Sequence, residues 1–397
     1  MFSHVASYSG DPILGLMEKF SSDQRTQKVN LGVGIYYDED GRVPVLRSIR
    51  AAQQQLLAHN LPSTYLPMEG DDAFRKHVAE LIFGVNVSDA IANAAVVQTL
   101  GGSGALKLGA DFLRRHFPSA TVHVSDPTWD NHIGLFEGAG FKVRRYRYYQ
   151  PSSRNLDLGG MLEDLERLTA NDVVLLHPCC HNPTGVDPSR ADWMQIIKVI
   201  EKKRPMVFVD IAYQGLSVGL EDDLFVVREL ARRNMDFLVS HSFSKIFSLY
   251  GERCGSLSVH CSNTSHVTNV LGQLKLLVRR SYSNPPTYGM RLISTVLGDP
   301  SLRGIWIGEL EAMRLRMTSM RRVLRDHLEA ILLGRDFSFL TSQTGMFAYT
   351  GLTNAQVIRL RDEFGIYAVS SGRICISGLR PDNVQHVASS YAAVLST

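Results

Sequence analysis

Residues Ser242–Arg253 read SFSKIFSLYGER and follow directly on the apolar run Phe237, Leu238 and Val239. A lysine in that setting is either solvated or used. Flanked by Phe243, Ile246 and Phe247, the ammonium of Lys245 is expected to lose hydration, which favours the neutral amine and makes it a better nucleophile toward a carbonyl. Ser242 and Arg253 bracket it, so a hydroxyl and a planar cation can both reach one small dianion such as a phosphate. A Schiff-base lysine beside a phosphate clamp suggests pyridoxal phosphate. Taken alone, the segment fits a surface lysine and a structural arginine equally well, and the rest of the chain decides between the two.

Working outward, the chain from Ala94 alternates short β-rich runs with helical ones. The expected strands are 95–98, 121–125, 142–146, 172–177, 206–210, 237–240 and 256–260, and the expected helices include 105–115, 161–168, 190–203 and 223–233. Apolar strands spaced by helices indicate an α/β fold with a mostly parallel sheet covered on both faces, and such sheets bind ligands beyond the strands' carboxyl ends. Past Asn263 the chain is mainly helical, with a long periodic segment from about residue 300 to 333. A smaller α/β set closes it: strands near 346–350, 366–369 and 374–377, and helices at 354–364 and 382–395. Near the start, Asp11 and Pro12 mark a short helix as N-cap and first helical residue. Gly32 and Gly34 lie in a loop, NLGVGIYYDEDGRVPV, that reads as site-lining, with a turn at Asp40–Gly41.

Composition sets bounds. With 397 residues, 44% of them hydrophobic and 20% charged, the chain can bury a large core and form two domains. A net charge of +3 with mixed signs supports neither a nucleic-acid stripe nor a polybasic membrane patch. Five cysteines without CxxC spacing support neither a disulfide framework nor a zinc site. No stretch approaches the about 18 apolar residues of a membrane span, and the first twenty residues lack a basic start followed by an apolar run. A cytoplasmic protein is expected.

Six further stretches point to one site. QTLGGSGALKLG places Gly101, Gly102, Ser103 and Gly104 at the start of a helix, where amides, a hydroxyl and the helix dipole make an anion cradle. It matches neither GxGxxG nor GxxxxGK[ST], which disfavours dinucleotides and P-loop nucleotides. SDPTWDNH puts Trp129 past a strand end among polar residues, where its ring can stack on a planar cofactor rather than fill a core. In HPCCHNPTG, Asn182 is held out of helical geometry by Pro183, and its amide can donate to a ring oxygen. Adjacent Cys179 and Cys180 cannot readily chelate one ion, so no metal is expected, and His177 and His181 read as structural hydrogen-bonding groups. FVDIAYQG ends a buried strand with Asp210, whose carboxylate needs a cation or strong donor such as a protonated pyridine nitrogen; Tyr213 follows it. SGRICISG sets Arg373 among small residues, suited to gripping a carboxylate, and RRSYSNPP offers another cation, Arg279 or Arg280.

In this order the stretches NLGVGIYYDE, QTLGGSGALK, SDPTWDNH, HPCCHNPTG, DIAYQG, SFSKIFSLYGER and SGRICISG resemble the class I aminotransferases, pyridoxal-phosphate enzymes of fold type I, in the branch holding the aspartate and aromatic amino acid enzymes. YLPMEG, TLGGSGALK and SFSKIFSLYGERCGSLSV are nearer the bacterial tyrosine (aromatic) type. His241 before SFSK departs from it, as does SNPP after RRSY, which is nearer the aspartate type. The resemblance implies that Lys245 carries the cofactor and moves the proton at the substrate's α-carbon. Asp210, assisted by His132, would pair with the pyridine nitrogen. Asn182 and Tyr213 would hold the ring oxygen, and Trp129 would stack on the ring. Gly102, Ser103, Ser242 and Arg253 would hold the phosphate, with Tyr65 arriving from a second subunit. Arg373 would bind the substrate's α-carboxylate near Gly34, Trp129 and Asn182, and Arg279 of the partner subunit would meet a side-chain carboxylate. It further implies a homodimer with shared sites, acting on amino acids and 2-oxo acids. Its domains would be an arm with part of the small domain (1–40), a large cofactor domain (41–310) and a small C-terminal domain (311–397). The expected activity is transfer from tyrosine, phenylalanine and aspartate to 2-oxoglutarate, against an aspartate-preferring variant, a pyridoxal-dependent lyase or decarboxylase, or a non-catalytic binding protein.

Overall fold

The computed structural model describes residues 2–7, 10, 12–84 and 88–396. The proposed N-cap Asp11 lies outside them. The chain forms two compact units, one from residues 44–316 and one joining residues up to 43 with those from 317 onward.

The larger unit is built on a seven-stranded sheet: β1 (Ala94–Leu100), β2 (Thr121–Asp126), β3 (Lys142–Arg147), β4 (Asp172–Leu176), β5 (Met206–Ile211), β6 (Phe237–Ser242) and β7 (Cys254–His260). Their spatial order is β1-β7-β6-β5-β4-β2-β3, and only β7 runs antiparallel to its neighbours. All seven expected strands are present. The inner ones, such as VVLL of β4 and MVFVDI of β5, are apolar without alternation because helices cover both faces. β3, KVRRYR, sits at the edge and keeps most of its side chains in solvent, where charge discourages pairing with another chain.

Helix Gly101–His116 packs on one face, burying Leu106, Leu108, Phe112 and Leu113 against Val97, Phe208, Leu238 and Leu257. Gly109 allows this close approach, since a Cβ there would lie 2.4 Å from the Phe208 ring. Helix Arg190–Lys203 falls at its expected bounds because Ser189 and Asp192 form a capping box. The helix expected at 223–233 is split instead. Asp222–Leu224 form a 3₁₀ turn, since Asp223 turns its carboxylate back onto the amides of the preceding loop, and the α-helix runs Phe225–Arg232.

In the other unit, Val29–Asn30 pairs in parallel with Ile366–Tyr367, and Phe347–Tyr349 pairs antiparallel with Arg373–Cys375. Helix Asn354–Phe364 is bounded by a Thr353–Gln356 capping box and by Gly365 at φ +72°. Buried Arg321 donates to the carbonyls of Leu340, Thr344 and Gly345, each at 3.0 Å, which satisfies a guanidinium that burial would otherwise penalise.

Candidate active site

The carboxyl ends of β1, β2, β4, β5 and β6 and the start of β7 lie along one edge of the sheet, and the segments leaving them carry most of the expected site residues. β5 ends with Asp210. Its Oδ2 lies 3.0 Å from His132 Nε2, and His132 Nδ1 lies 2.8 Å from Thr128 Oγ1. Because a carboxylate only accepts, Nε2–H is the donor, and in that tautomer Nδ1 accepts a hydrogen bond from the Thr128 hydroxyl. Burial pushes the Asp210 carboxyl up, yet the His132 hydrogen bond and the neighbouring imidazoles outweigh it and hold the group below its usual value. Trp129 meets His132 edge-on at 5.2 Å, on the turn that opens helix Asp130–Gly138.

Lys245 Nζ lies 5.4 Å from the centroid of the Tyr213 ring. The lysine is half-buried between the fully buried Ile246 and Ser244, as its apolar neighbours led us to expect. Asn182, 8% exposed, precedes a cis peptide bond to Pro183.

At the far side of β6, helix Gly101–His116 begins with Gly101 itself, earlier than the expected residue 105, and presents Gly102 and Ser103 in its first turn. Gly101 has φ +69°, and a Cβ there would lie 2.8 Å from Arg253 Nη2; a Cβ on Gly102 would lie 3.0 Å from that of Ser242. The two glycines, Ser242 and Arg253 thus surround a cradle that side chains would fill. Ser240, paired with Asp210 across the strands, donates from Oγ to the Gly102 carbonyl at 3.2 Å and links the cradle to the carboxylate.

Beside Asp210 the structure adds residues that sequence reading left as structural. His177 Nε2 is 4.0 Å from Asp210 Oδ2, and its ring packs between those of His132 (5.0 Å) and His181 (4.5 Å). His181 in turn stacks on Tyr148 at 4.0 Å, with its nitrogens 2.9 Å from Ser125 Oγ and 2.8 Å from Thr184 Oγ1. Burial, then the neighbouring imidazole, brings the His177 pKa down to about 3, and His181 lies well below its usual value for the same reasons. Thr128 was missed; its only signal was a position four residues before His132, at the start of a helix.

Among the described residues two groups of side chains come close enough to share a metal: His132, His177 and Asp210, and Cys179, Cys180 and Asp223. In the first, both His132 nitrogens are engaged. In the second, both Asp223 oxygens accept backbone amides.

Tyr65 is 92% exposed, and Arg279 is exposed on helix Val267–Ser281. In the smaller unit, Arg373 is 4% exposed; its Nη2 donates to the Gly32 carbonyl at 2.7 Å, and the guanidinium lies 4.2 Å over the Phe347 ring. Gly34 lies half-buried in the loop that supplies this carbonyl.

A hydrogen-bonded aspartate, a half-buried lysine and an anion cradle lie along one edge of the sheet, a set with the chemistry to meet a cation, a carbonyl and a phosphate. Residues 26–390 match the family model for class I and II aminotransferases. The chain belongs to that family, whose members use pyridoxal phosphate, and it has their type I fold. It is 49% identical to the tyrosine aminotransferase of Klebsiella pneumoniae, over 397 residues and the whole of both chains. It is also 49% identical, again over the whole of both, to an aspartate aminotransferase of Pseudomonas aeruginosa. A crystal structure of the aromatic-amino-acid aminotransferase of Burkholderia pseudomallei, covalently bound to pyridoxal phosphate, superposes with a TM-score of 0.97 at 48% identity, covering 100% of this chain and 99% of that one. Among the described residues no helix is long and apolar enough to cross a membrane.

Proposed function

We propose that the protein is a cytoplasmic, homodimeric aminotransferase that moves the amino group of tyrosine, phenylalanine and aspartate to 2-oxoglutarate. The observation that carries this is the grouping along one sheet edge of Lys245 beside Tyr213, Asp210 bonded to His132, and the Gly101, Gly102, Ser242 and Arg253 cradle. The relatives named for tyrosine and for aspartate support the two donor classes.

The unit of residues 44–316 would bind the cofactor, which fits the cradle that a Cβ would fill. When bound, pyridoxal phosphate supplies an electron sink for the bond broken at the substrate's α-carbon and carries the amino group between half-reactions. Lys245 tethers it and, once displaced by the substrate amine, takes the proton from the α-carbon. Asp210, oriented by His132 and Thr128, keeps the ring nitrogen protonated. Asn182 and Tyr213 donate to the ring oxygen, while Trp129 covers the ring. Gly102, Ser103, Ser242 and Arg253 hold the phosphate, joined by the partner subunit's Tyr65. Arg373 grips the α-carboxylate, with Gly34 beside it. The partner subunit's Arg279 meets the side-chain carboxylate of acidic substrates. The exposure of Tyr65 and Arg279 supports their serving a second copy.

The 49% identity to an aspartate aminotransferase supports a second reading, in which aspartate is the preferred donor. Comparing kcat/KM for tyrosine, phenylalanine and aspartate separates the two. The reaction class is tested by the spectrum of purified protein. Tyrosine should bleach the absorbance near the visible edge and 2-oxoglutarate should restore it, whereas release of ammonia or carbon dioxide without oxo-acid consumption would refute transamination.

A further inference from the structure

Two carboxylates outside the cofactor cluster tie together the loops that carry Asn182 and Tyr213. Asp187 accepts from the backbone amides of Cys180 at 2.7 Å and His181 at 2.9 Å, the two residues preceding Asn182. Asp223 accepts from the amides of Gly215 (2.8 Å), Ser217 (3.1 Å), Val218 (2.9 Å) and Gly219 (3.3 Å), in the loop that follows Tyr213. Ser217 joins the two carboxylates, giving its amide to Asp223 and its hydroxyl to Asp187 Oδ2 at 3.0 Å. A third tie runs directly between the loops, from Cys180 Sγ to the Tyr213 carbonyl at 3.7 Å.

The shape of both loops needs such a brace. Cys180 has φ +51° and Gly215 φ +85°. A side-chain-bearing residue in the left-handed region persists only where its surroundings hold it there. Asp187 holds Cys180 by its own amide, and the four-amide grip of Asp223 begins at Gly215. Placing two carboxylates this close is unfavourable. Burial raises the Asp223 carboxyl above its usual value, and Asp187 pushes it the same way against the backbone donors. The arrangement is therefore maintained against a cost, and the backbone it immobilises lies next to two of the side chains assigned to the cofactor.

We propose that Asp187, acting with Asp223 through Ser217, is a positioning residue that fixes the reach of Asn182 and Tyr213 to the cofactor's ring oxygen and thereby sets the ionisation of that oxygen. This rests on the roles given to Asn182 and Tyr213 above. Hydrogen bonds to an ionised oxygen favour the ionised form, so loosening either loop makes ionisation harder.

The test is a spectrophotometric pH titration of the holoprotein without substrate, for the parent, Asp187→Ala, Asp187→Asn and Ser217→Ala. In Asp187→Ala the midpoint of the cofactor's absorbance change should rise by about half a pH unit or more. Asp187→Asn, which keeps one acceptor oxygen, should recover part of the shift. Ser217→Ala breaks only the hydroxyl link and should shift the midpoint the same way by less. A parental midpoint in folded Asp187→Ala and Ser217→Ala overturns the proposal. If Asp187→Ala does not fold, Asp187→Asn and Ser217→Ala decide, and parental midpoints in both overturn it. A parent without a Lys245-dependent absorbance band would instead defeat the cofactor assignment, and this proposal with it.

Discussion

His132 and Asp210, 78 residues apart in sequence, meet at 3.0 Å between Nε2 and Oδ2, with Thr128 closing on the other ring nitrogen. The carboxylate is thereby oriented and held below its usual pKa inside the protein, as the proposed pairing with a cationic ring requires. Asp210→Asn keeps the shape and removes the charge. The expected result is a fall in kcat of roughly a hundredfold to a thousandfold with little change in fold, read by steady-state kinetics and circular dichroism. His132→Asn should cost about tenfold to a hundredfold, because it orients the carboxylate without meeting the substrate.

Burial holds His177 and His241 at a pKa of about 3, against 6.5 for a free histidine. Unfolding lets both rings take up protons that the folded chain refuses. Their contribution to stability is therefore complete above about pH 6.5 and is lost as the pH falls toward 3, by about 1.4 kcal/mol per histidine per pH unit. Asp210 is lowered below 3.8, so its contribution fades only below about pH 4 and leaves the higher window to the histidines. Urea midpoints measured from pH 7 to 4.5 should show this decline.

His241 can be probed by itself. It lies directly across from Ser256, which lies across from Gln98, and neither His241 nitrogen, nor Ser256 Oγ, nor Gln98 Oε1 meets a hydrogen-bonding partner among the described residues. A buried polar group without partners does not stabilise the fold. His241→Leu should leave stability at pH 7 within about 1 kcal/mol of the parent or raise it, and should flatten the acid decline. An unchanged slope in the same urea series would contradict the assignment.

Much of this was legible in sequence because the signals were local. The apolar runs of β4 to β6, the helical run 190–203 and the Gly-rich start after β1 each rest on residues close together in the chain. The motifs carrying Gly102, Trp129, Asn182, Asp210 and Lys245 also sit at strands' carboxyl ends, where a parallel sheet puts its ligand. The contacts that escaped pair common polar residues. Asp187, Ser217 and Asp223 meet only when the segments after β4 and β5 are adjacent, and Thr128 gains a role only because the sheet brings His132, four residues on, to Asp210. The start of the helix at Gly101 was also hidden, since three glycines in four residues argue against helix, and packing against Arg253, Ser242 and Gly255 overrides that preference.

Gly101→Ala tests the cradle. The substitution forces a side chain into φ +69° and into contact with Arg253. It should cost about 1–2 kcal/mol of stability and weaken cofactor binding at least about tenfold, measured by fluorescence titration of the cofactor-free protein.

Sharing of sites between subunits is tested by mixing two inactive variants, Lys245→Ala and Arg279→Asp, after unfolding and refolding together. In a hybrid dimer one site has both Lys245 and the partner's arginine. Random pairing should return about a quarter of the parent's activity toward aspartate. No recovery in a mixture shown to contain hybrid dimers would place Arg279 outside the partner's site.

The central claim is that Lys245 is the residue to which the cofactor is bound, and it can be read directly by reducing the holoprotein with borohydride, digesting it and weighing the peptides. The mass of a reduced pyridoxyl phosphate should appear on the peptide containing Lys245 and be absent from Lys245→Ala. Finding that mass on a different lysine, or on none in protein that retains bound cofactor, would contradict the account.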